Sequence, residues 1–214
     1  MSDCCTPAGY RWIFSERYAQ MEARRYRRRG LDRLSRRILE LVVHRGVAAA
    51  SVLEVGGGIG DLQIELLRAG AARATSVELT PTFEVVAGEL LRNAGLAGRV
   101  NRRVLDFAAA GESVEDADLV VLNRVVCCYP DMPRLAGAAA DHARGLLVLS
   151  FPANRWYVRF ALGFGNLVLR LLRRGFQVFM HPPDGIARVA EQHGLRPCFN
   201  RTGPIWQIAA FERP

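Results

Sequence analysis

The sequence predicts an α/β protein built on a mainly parallel sheet. Short apolar segments alternate with longer amphipathic segments along most of the 214 residues, which is the pattern of consecutive βα units. Residues 146–149 are uninterrupted apolar, as expected of a strand covered by helices on both faces. A glycine-rich loop at residues 56–60 follows the first apolar segment. Half of the residues are hydrophobic, which allows a sizeable core and argues against global disorder.

The stretch at residues 52–61 is the most informative part of the chain. It reads Val-Leu-Glu-Val-Gly-Gly-Gly-Ile-Gly-Asp, which predicts a buried strand, a tight loop and the start of a helix. Glycines at 56, 58 and 60 allow positive φ angles and let a ligand approach the backbone closely. A dinucleotide-binding G-x-G-x-x-G motif beginning at Gly56 would need glycine at position 61, where this chain has Asp61. The spacing therefore favours a nucleotide-like ligand other than a nicotinamide or flavin dinucleotide.

Acidic residues follow the next two predicted strands. Glu78 lies eighteen residues after Gly60, at the carboxyl end of the second strand. A carboxylate there can accept hydrogen bonds from both ribose hydroxyls of an adenosine-containing ligand. Asp106 and Phe107 follow the third strand. Together with the glycine loop, these residues at the strand ends favour a cofactor site over a glycine-rich turn that binds no ligand.

The predicted elements are βα units followed by a terminal hairpin. The predicted strands are residues 47–55, 74–79, 100–105, 117–122, 145–150, 195–200 and 205–212. The predicted helices are residues 14–46 and 154–174, each as one or two helices, and residues 61–69, 81–94 and 184–193. The turn of the hairpin is placed at residues 202–204, Thr-Gly-Pro.

The pattern Glu54-x-Gly56-x-Gly58-x-Gly60 resembles motif I of the class I S-adenosylmethionine-dependent methyltransferases. The resemblance covers about residues 47–214. It implies a Rossmann-like class I methyltransferase fold, with a seven-stranded sheet of order 3-2-1-4-5-7-6, an antiparallel seventh strand and helical caps. It also implies S-adenosylmethionine (SAM) as cofactor and S-adenosylhomocysteine as product.

The resemblance assigns roles within the cofactor site. The glycine loop passes under the methionine and ribose parts, Glu54 reaches the amino acid end, Asp106 takes the adenine amino group and Phe107 lines the ring. The full set of predicted cofactor-binding residues is Glu54, Gly56, Gly57, Gly58, Gly60, Glu78, Leu79, Thr80, Asp106, Phe107, Asn123 and Arg124.

The loop at residues 123–131 resembles the loops of particular members of this family. It is similar to the corresponding loops of magnesium-protoporphyrin and ubiquinone O-methyltransferases, which have an acidic residue at the position of Asn123 and a histidine at that of Cys128. Cys128 cannot act as the same general base. The whole sequence also resembles an uncharacterised group of actinobacterial methyltransferase-domain proteins.

Methyl transfer from a sulfonium needs mainly alignment of an activated cofactor with its acceptor. Where the acceptor must lose a proton, the predicted catalytic residues are His181, on a rigid loop before Pro182 and Pro183, and Tyr129. The predicted substrate-binding residues are Tyr10, Phe14, Tyr18, Cys128, Tyr129, Trp156 and His181.

Charge and composition suggest two caps. The net charge is +8, and residues 11–37 carry ten arginines against three acidic residues. Residues 1–46 are therefore predicted to form an arginine-rich helical cap or lid, and residues 47–214 the methyltransferase domain. A helical insertion at about residues 153–182 is predicted to form a substrate cap. An arginine-rich helix can bind RNA, an anionic membrane or an acidic substrate, or simply present a solvated face.

The leading functional prediction is O-methylation of a small molecule, a natural product or cofactor-like acceptor. The first alternative is an RNA or protein methyltransferase that docks through the basic helix. Against it, no Asn/Asp-Pro-Pro-aromatic tetrapeptide follows the fourth strand. Further alternatives are a non-catalytic SAM-binding protein and a thiol or metalloid methyltransferase that uses Cys127 and Cys128 with Cys4 and Cys5.

Nothing in the sequence predicts a metal site or export. Five cysteines lack the Cys/His spacing of a zinc site. No secretory signal pattern and no run of eighteen apolar residues occurs. A cytoplasmic protein is therefore predicted, with peripheral membrane contact as a further alternative and a small molecule as the main partner.

Overall fold

A computed structural model describes residues 7–110 and 113–214. The strands are β1 (Ser51–Val55), β2 (Arg73–Glu78), β3 (Val100–Val104), β4 (Ala117–Asn123), β5 (Ala143–Pro152), β6 (Arg196–Thr202) and β7 (Trp206–Glu212). The α-helices are α1 (Pro7–Ile13), α2 (Glu16–Arg29), α3 (Arg33–Arg45), α4 (Asp61–Arg68), α5 (Glu84–Asn93), α6 (Phe107–Ala110), α7 (Met132–Asp141), α8 (Trp156–Leu171) and α9 (Pro183–Gln192).

The seven strands form one sheet of order β3-β2-β1-β4-β5-β7-β6. Strands β1 to β5 pair in parallel, whereas β7 pairs antiparallel with both β5 and β6. The predicted sheet order and antiparallel seventh strand are confirmed. Because the strand order reverses between β1 and β4, the crevice beyond their carboxyl ends is the place where an open α/β sheet binds ligands.

The sheet is covered on both faces, as the apolar strands predict. In β1, Val52 packs into the core on the side of α3 and α4, and Leu53 packs into the core on the side of α7 and α9. This alternation follows from the two-residue period of a strand. Helices α2 and α3 of the predicted cap bury Ala23 and Ile38 in the first of these cores.

The structure decides between the two helical arrangements predicted before β1. Residues 14–46 hold two helices, one of the two predicted arrangements, and α1 precedes them. The break lies at Gly30, whose φ of 68° ends α2, and at Asp32, whose carboxylate accepts from the backbone N–H of Leu34 at 2.7 Å and caps α3. Gly46 ends α3 in a left-handed conformation, as predicted.

Several other features differ from the predictions. Residues 47–50 form a turn instead of the beginning of β1, because Ala50 N–H bonds back to the carbonyl of Val47 at 3.1 Å. Residues 154–174 hold the single helix α8, and residues 172–182 carry no regular helix or strand. Phe107 begins the short helix α6. Among the described residues, no helix is long and apolar enough to cross a membrane.

Candidate functional site

A cavity of about 460 Å³ lies at the carboxyl ends of β1 to β4. One side, the loop side, is formed by residues 54–61 and 77–80 together with Asp106. The opposite side, the lid side, is formed by the aromatic rings of Tyr10, Phe14, Tyr18, Phe83 and Phe176. The cavity therefore joins the residues at the strand ends to an apolar cover supplied by other parts of the chain.

The glycine loop takes the conformation that its sequence predicts. Gly56, Gly58 and Gly60 have φ angles of 67°, 59° and 78°, a region that other residues rarely adopt. A Cβ on Gly57 would lie 2.5 Å from the carboxylate of Glu54. A Cβ on Gly58 would instead meet only the Phe83 ring, at 3.8 Å. Position 58 thus borders an open part of the cavity, which we call the cradle, and a side chain at this position would fill it.

Three carboxyl groups lie close together on the loop side, with Glu54 and Glu78 buried and Asp61 partly buried. Burial raises the pKa of Glu54 to about 8, and the charges of Asp61 and Glu78 add to this shift. Burial likewise raises the pKa of Glu78 to about 7, although the Gly58 N–H donates to its carboxylate. Burial and the charge of Asp32 raise the pKa of Asp61 to about 6. Such a set favours a ligand that brings positive charge or hydrogen-bond donors.

We expect the stability of the ligand-free protein to fall as pH rises from about 5.5 to 8. The raised carboxyl pKa values mean that the folded chain holds more protons than the unfolded chain between pH ~4.5 and ~8, so stability decreases across that range. Thermal unfolding at several pH values measures this dependence. Glu54→Gln should flatten it, whereas Glu89→Gln on exposed α5 should leave it unchanged. Equal slopes for Glu54→Gln and the unsubstituted protein would contradict the assignment.

Arg124 is held beside the cavity by a polar network. Its φ is 63°, and its backbone N–H donates to Ser150 Oγ at 2.9 Å. Its Nη2 donates to Asp32 Oδ2 at 2.7 Å, while its buried Nε has no hydrogen-bond partner. Ser150 Oγ donates to Asn123 Oδ1 at 2.7 Å. Arg124 lines the cavity with a partly exposed side chain, so its guanidinium is suited to bind a carboxylate from a ligand.

Each of the two predicted catalytic residues has a hydrogen-bond partner in the structure. The Tyr129 hydroxyl donates to the Asp106 carboxylate at 3.1 Å, and burial together with this neighbour raises the pKa of Tyr129 to about 12. Tyr129 is therefore protonated at neutral pH and orients Asp106. His181 places Nε2 3.1 Å from the Tyr129 carbonyl oxygen, and it lies outside the cavity wall. Burial lowers the pKa of His181.

The lid side is a cluster of aromatic contacts. Phe14 packs edge-on against Phe176 at 5.8 Å between ring centroids and also contacts Phe83 at 6.2 Å. Tyr10 packs against Phe176 at 5.4 Å, and its hydroxyl donates to the Cys128 carbonyl. Aromatic pairs of this kind contribute about 0.5–1.5 kcal/mol each beyond their burial. Helix α1 is thus fastened over the cavity.

Comparison with known proteins identifies the family. A family model described as a methyltransferase domain matches residues 23–198, most of the chain. The chain belongs to the methyltransferase-domain family. The prediction of a class I SAM-dependent methyltransferase is confirmed. No curated protein matches the sequence.

Solved structures share the fold of this methyltransferase at low identity. Magnesium protoporphyrin IX methyltransferase from Synechocystis PCC 6803, with bound S-adenosylhomocysteine, is 18% identical over 84% of this chain and 82% of that one, with a TM-score of 0.70. An O-methyltransferase family protein from Burkholderia thailandensis is 20% identical over 99% and 65%, with a TM-score of 0.75. A TehB-like SAM-dependent methyltransferase from Corynebacterium glutamicum is 19% identical over 94% and 99%, with a TM-score of 0.66.

The methyltransferase cavity brings together most of the residues that the sequence singles out. Lining residues from the cofactor set are Glu54, Gly56, Gly57, Gly58, Glu78, Leu79, Thr80, Asp106, Phe107, Asn123 and Arg124. Gly60 is not in the wall and is the N-cap residue of α4. Lining residues from the substrate set are Tyr10, Phe14, Tyr18, Cys128 and Tyr129.

The placement of Trp156 in the substrate wall is wrong. Its side chain is 80% exposed and points away from the cavity. Val158 and Leu162 on the same helix line the cavity instead. The sequence shows that α8 is amphipathic, but its two faces are both apolar enough that only packing decides which one turns inward. Cys4 and Cys5 lie outside the described residues.

Four charged residues of the cavity wall were missed by the sequence analysis. Glu22, Arg25, Asp32 and Asp61 all line it. Arg25 Nη2 lies 2.9 Å from Glu22 and 3.8 Å from both Asp32 and Asp61. The three-residue spacing of Glu22 and Arg25 signals a pair on one helix face, but only the folding of α2 over the glycine loop places that pair in the site.

We expect Gly9→Ala to loosen α1 from the lid. A Cβ on Gly9 would collide with the backbone carbonyl of Gly175, and overpacking of this kind costs about 1–3 kcal/mol. Amide hydrogen exchange in α1 should then be about tenfold faster or more. Gly98→Ala is the matched control, since nothing lies within 4 Å of its Cβ. Unchanged exchange in Gly9→Ala would show that α1 does not pack on residues 175 and 176.

Proposed function

We propose that this methyltransferase transfers the methyl group of SAM to an oxygen atom of a small, largely apolar acceptor. The observation that carries the proposal is the two-sided cavity. Its loop side presents backbone and carboxylates at the ends of β1 to β3, and its lid side presents aromatic rings. A polar half beside an apolar half suits a nucleoside cofactor facing an aromatic or aliphatic acceptor.

The residues of the loop side fit the cofactor group by group. Glu78 would accept hydrogen bonds from the ribose hydroxyls, and Asp106, oriented by Tyr129, would accept from the adenine amino group. The open cradle at Gly58 would let the ligand lie against the backbone. When bound, SAM supplies a methyl group already activated on a positively charged sulfur.

The charged residues near α2 fit the amino acid end of the cofactor. A zwitterion brings an ammonium and a carboxylate, and this part of the wall offers both complements. Glu22 and Asp61 can accept from the ammonium, while Arg124, whose side chain is partly exposed in the same wall, offers its positive charge to the carboxylate. These assignments extend the predicted cofactor set by residues that the sequence does not reveal.

The lid side supports an acceptor that needs little help to lose its proton. The Tyr129 hydroxyl already donates a hydrogen bond to Asp106, and His181 lies outside the cavity wall. No histidine lines the described part of the cavity. A carboxylic acid or an acidic phenol is ionised or nearly ionised before binding, so alignment and exclusion of water supply the rate enhancement. We therefore place the acceptor oxygen on a carboxylate or phenolate.

Calorimetry with SAM is the first test of this function. Binding with one site per chain is expected, and absence of binding by the purified protein would overturn the proposal. Incubation with methyl-labelled SAM and panels of aromatic carboxylic acids and phenols then tests the acceptor. Label recovered as methyl esters or aryl methyl ethers supports the oxygen assignment. Label recovered only on amines, with no product from either panel, would contradict it.

The basic surface of α2 supports the alternative of an RNA methyltransferase. Arg17, Arg24, Arg28 and Arg29 border a shallow depression on its outer face, a suitable surface for RNA. An RNA methyltransferase would bind RNA with an affinity that falls steeply with salt concentration.

Cys127 and Cys128, with sulfur atoms 3.8 Å apart at the cavity, support the thiol or metalloid alternative. Binding of trivalent arsenic that is lost in Cys128→Ser would favour it.

A further inference from the structure

The outward face of α8 is a continuous apolar surface. Five apolar residues of α8 are spaced four, four, three and four positions apart, which places them on one side of the helix. Their exposed fractions range from 51% to 80%. We call this surface the α8 stripe; it consists of Trp156, Phe160, Phe164, Leu167 and Leu171.

The α8 stripe is not what holds the helix on the protein. The inward face does this, with Val158 buried and with Leu162 lining the cavity. At the end of the helix, Asn166 Nδ2 donates to the Val178 carbonyl at 2.8 Å. Because these contacts lie on the opposite side, the stripe remains exposed to solvent. An exposed row of three aromatic and two leucine side chains marks an interaction surface.

The chain segment that contains α8 carries only positive charge. No acidic residue occurs between Asp141 and Asp184, and this segment contains six arginines. Arg159 and Arg170, eleven residues apart, lie along one edge of the stripe. Within the described residues, neither forms a salt bridge. The stripe is therefore bordered by cations that have no acidic partner in the described part of the chain.

We propose that α8 docks this protein on an anionic lipid surface, with the stripe in the boundary between headgroups and acyl chains. An amphipathic helix with aromatic residues on one side and arginines at its edge has the chemistry of an interfacial helix. Tryptophan is suited to that boundary, because its ring is apolar and its N–H is polar. At about 1.5 Å per residue, the 16 residues of α8 span roughly 24 Å along the surface.

Charge argues against a second copy of the chain as the occupant. Two α8 stripes facing each other would bring arginines together without any acidic residue on either helix to pair with them. An anionic bilayer neutralises the same arginines, each contributing attraction near the surface. The docking surface lies on the opposite side of α8 from the cavity, so this proposal stands independently of the proposed chemistry.

Vesicle flotation tests the proposal. Vesicles of equal parts phosphatidylglycerol and phosphatidylcholine should carry the protein upward, and pure phosphatidylcholine should carry much less. The double variant Trp156→Ser with Phe160→Ser should partition onto the anionic vesicles at least about tenfold less than the unsubstituted protein. Both side chains are exposed, so the fold should survive, which thermal unfolding checks. The matched control is Val85→Ser with Val104→Ser, which removes side chains that are 74% and 46% exposed on other elements.

A charge-matched pair of variants tests the role of the arginines. Arg159→Gln with Arg170→Gln should lower partition onto anionic vesicles, whereas Arg28→Gln with Arg29→Gln on α2 removes the same net charge and should have a smaller effect. Brominated lipids should quench Trp156 fluorescence in bound protein. Absence of vesicle binding, or equal loss in both arginine variants, would overturn the proposal. So would a concentration-dependent dimer that the Trp156→Ser and Phe160→Ser double variant abolishes.

Discussion

Glu78→Gln is expected to weaken SAM binding by about 5- to 150-fold, corresponding to about 1–3 kcal/mol. Glu78 lies at the carboxyl end of β2 in the cavity wall and accepts from the backbone N–H of Gly58. The amide oxygen of glutamine can still accept from Gly58. It cannot serve two ribose hydroxyls as a carboxylate does, so the loss falls on the ligand and not on the loop.

Calorimetric titration with SAM measures this effect, and thermal unfolding of the same samples checks the fold. The unfolding midpoint of Glu78→Gln at about pH 8 should equal or exceed that of the unsubstituted protein. The reason is that burial raises the pKa of Glu78 to about 7, so removing the buried charge relieves a cost above that pH. Unchanged affinity would show that Glu78 is not the ribose ligand.

Gly58→Asn is expected to reduce SAM affinity by about a hundredfold or more while leaving the sheet folded. Asparagine tolerates the left-handed backbone that this position requires at a φ of 59°. Its side chain would enter the cavity, where the ring of Phe83 is the nearest protein group at 3.8 Å. The collision is therefore with the bound cofactor, because the protein itself leaves that space open.

Gly46→Asn is the matched control for this substitution. Gly46 also has a left-handed backbone, with a φ of 93°, and nothing lies within 4 Å of its Cβ, so the same change is made in a left-handed conformation away from the cavity. Calorimetry should show wild-type affinity for Gly46→Asn and a large loss for Gly58→Asn. Normal binding by Gly58→Asn would move the cofactor site away from the glycine loop.

The parallel sheet and the succession of its strands are readable from the sequence for a local reason, whereas the order of the strands in the sheet followed from the family resemblance. Apolar runs, glycine at helix ends and the terminal turn are short-range signals, and they predicted β1 to β7 with small errors at the boundaries. Those errors have local causes, such as the turn at residues 47–50 and the cap at Asp32. Hydrogen bonds of this kind shift an element by a few residues without changing the topology.

The chemistry of the site was only partly readable. Side chains attached to strand ends were predicted well, since parallel strands deliver them to one edge of the sheet, as with Glu78 and Asp106. Residues on the covering helices were not. Glu22 and Arg25 reach the cavity only because α2 lies over the glycine loop.

The sequence by itself determined the succession of βα units, the glycine loop and the carboxylates at the strand ends, because these depend on neighbours within a few residues or on the regular geometry of βα units; the strand order followed from the resemblance of the glycine motif to the methyltransferase family. Only the tertiary structure decided that Tyr129 holds Asp106, that His181 lies outside the cavity and that Trp156 faces solvent. Those outcomes depend on the rotation and packing of helices and loops from distant parts of the chain, which no local pattern encodes.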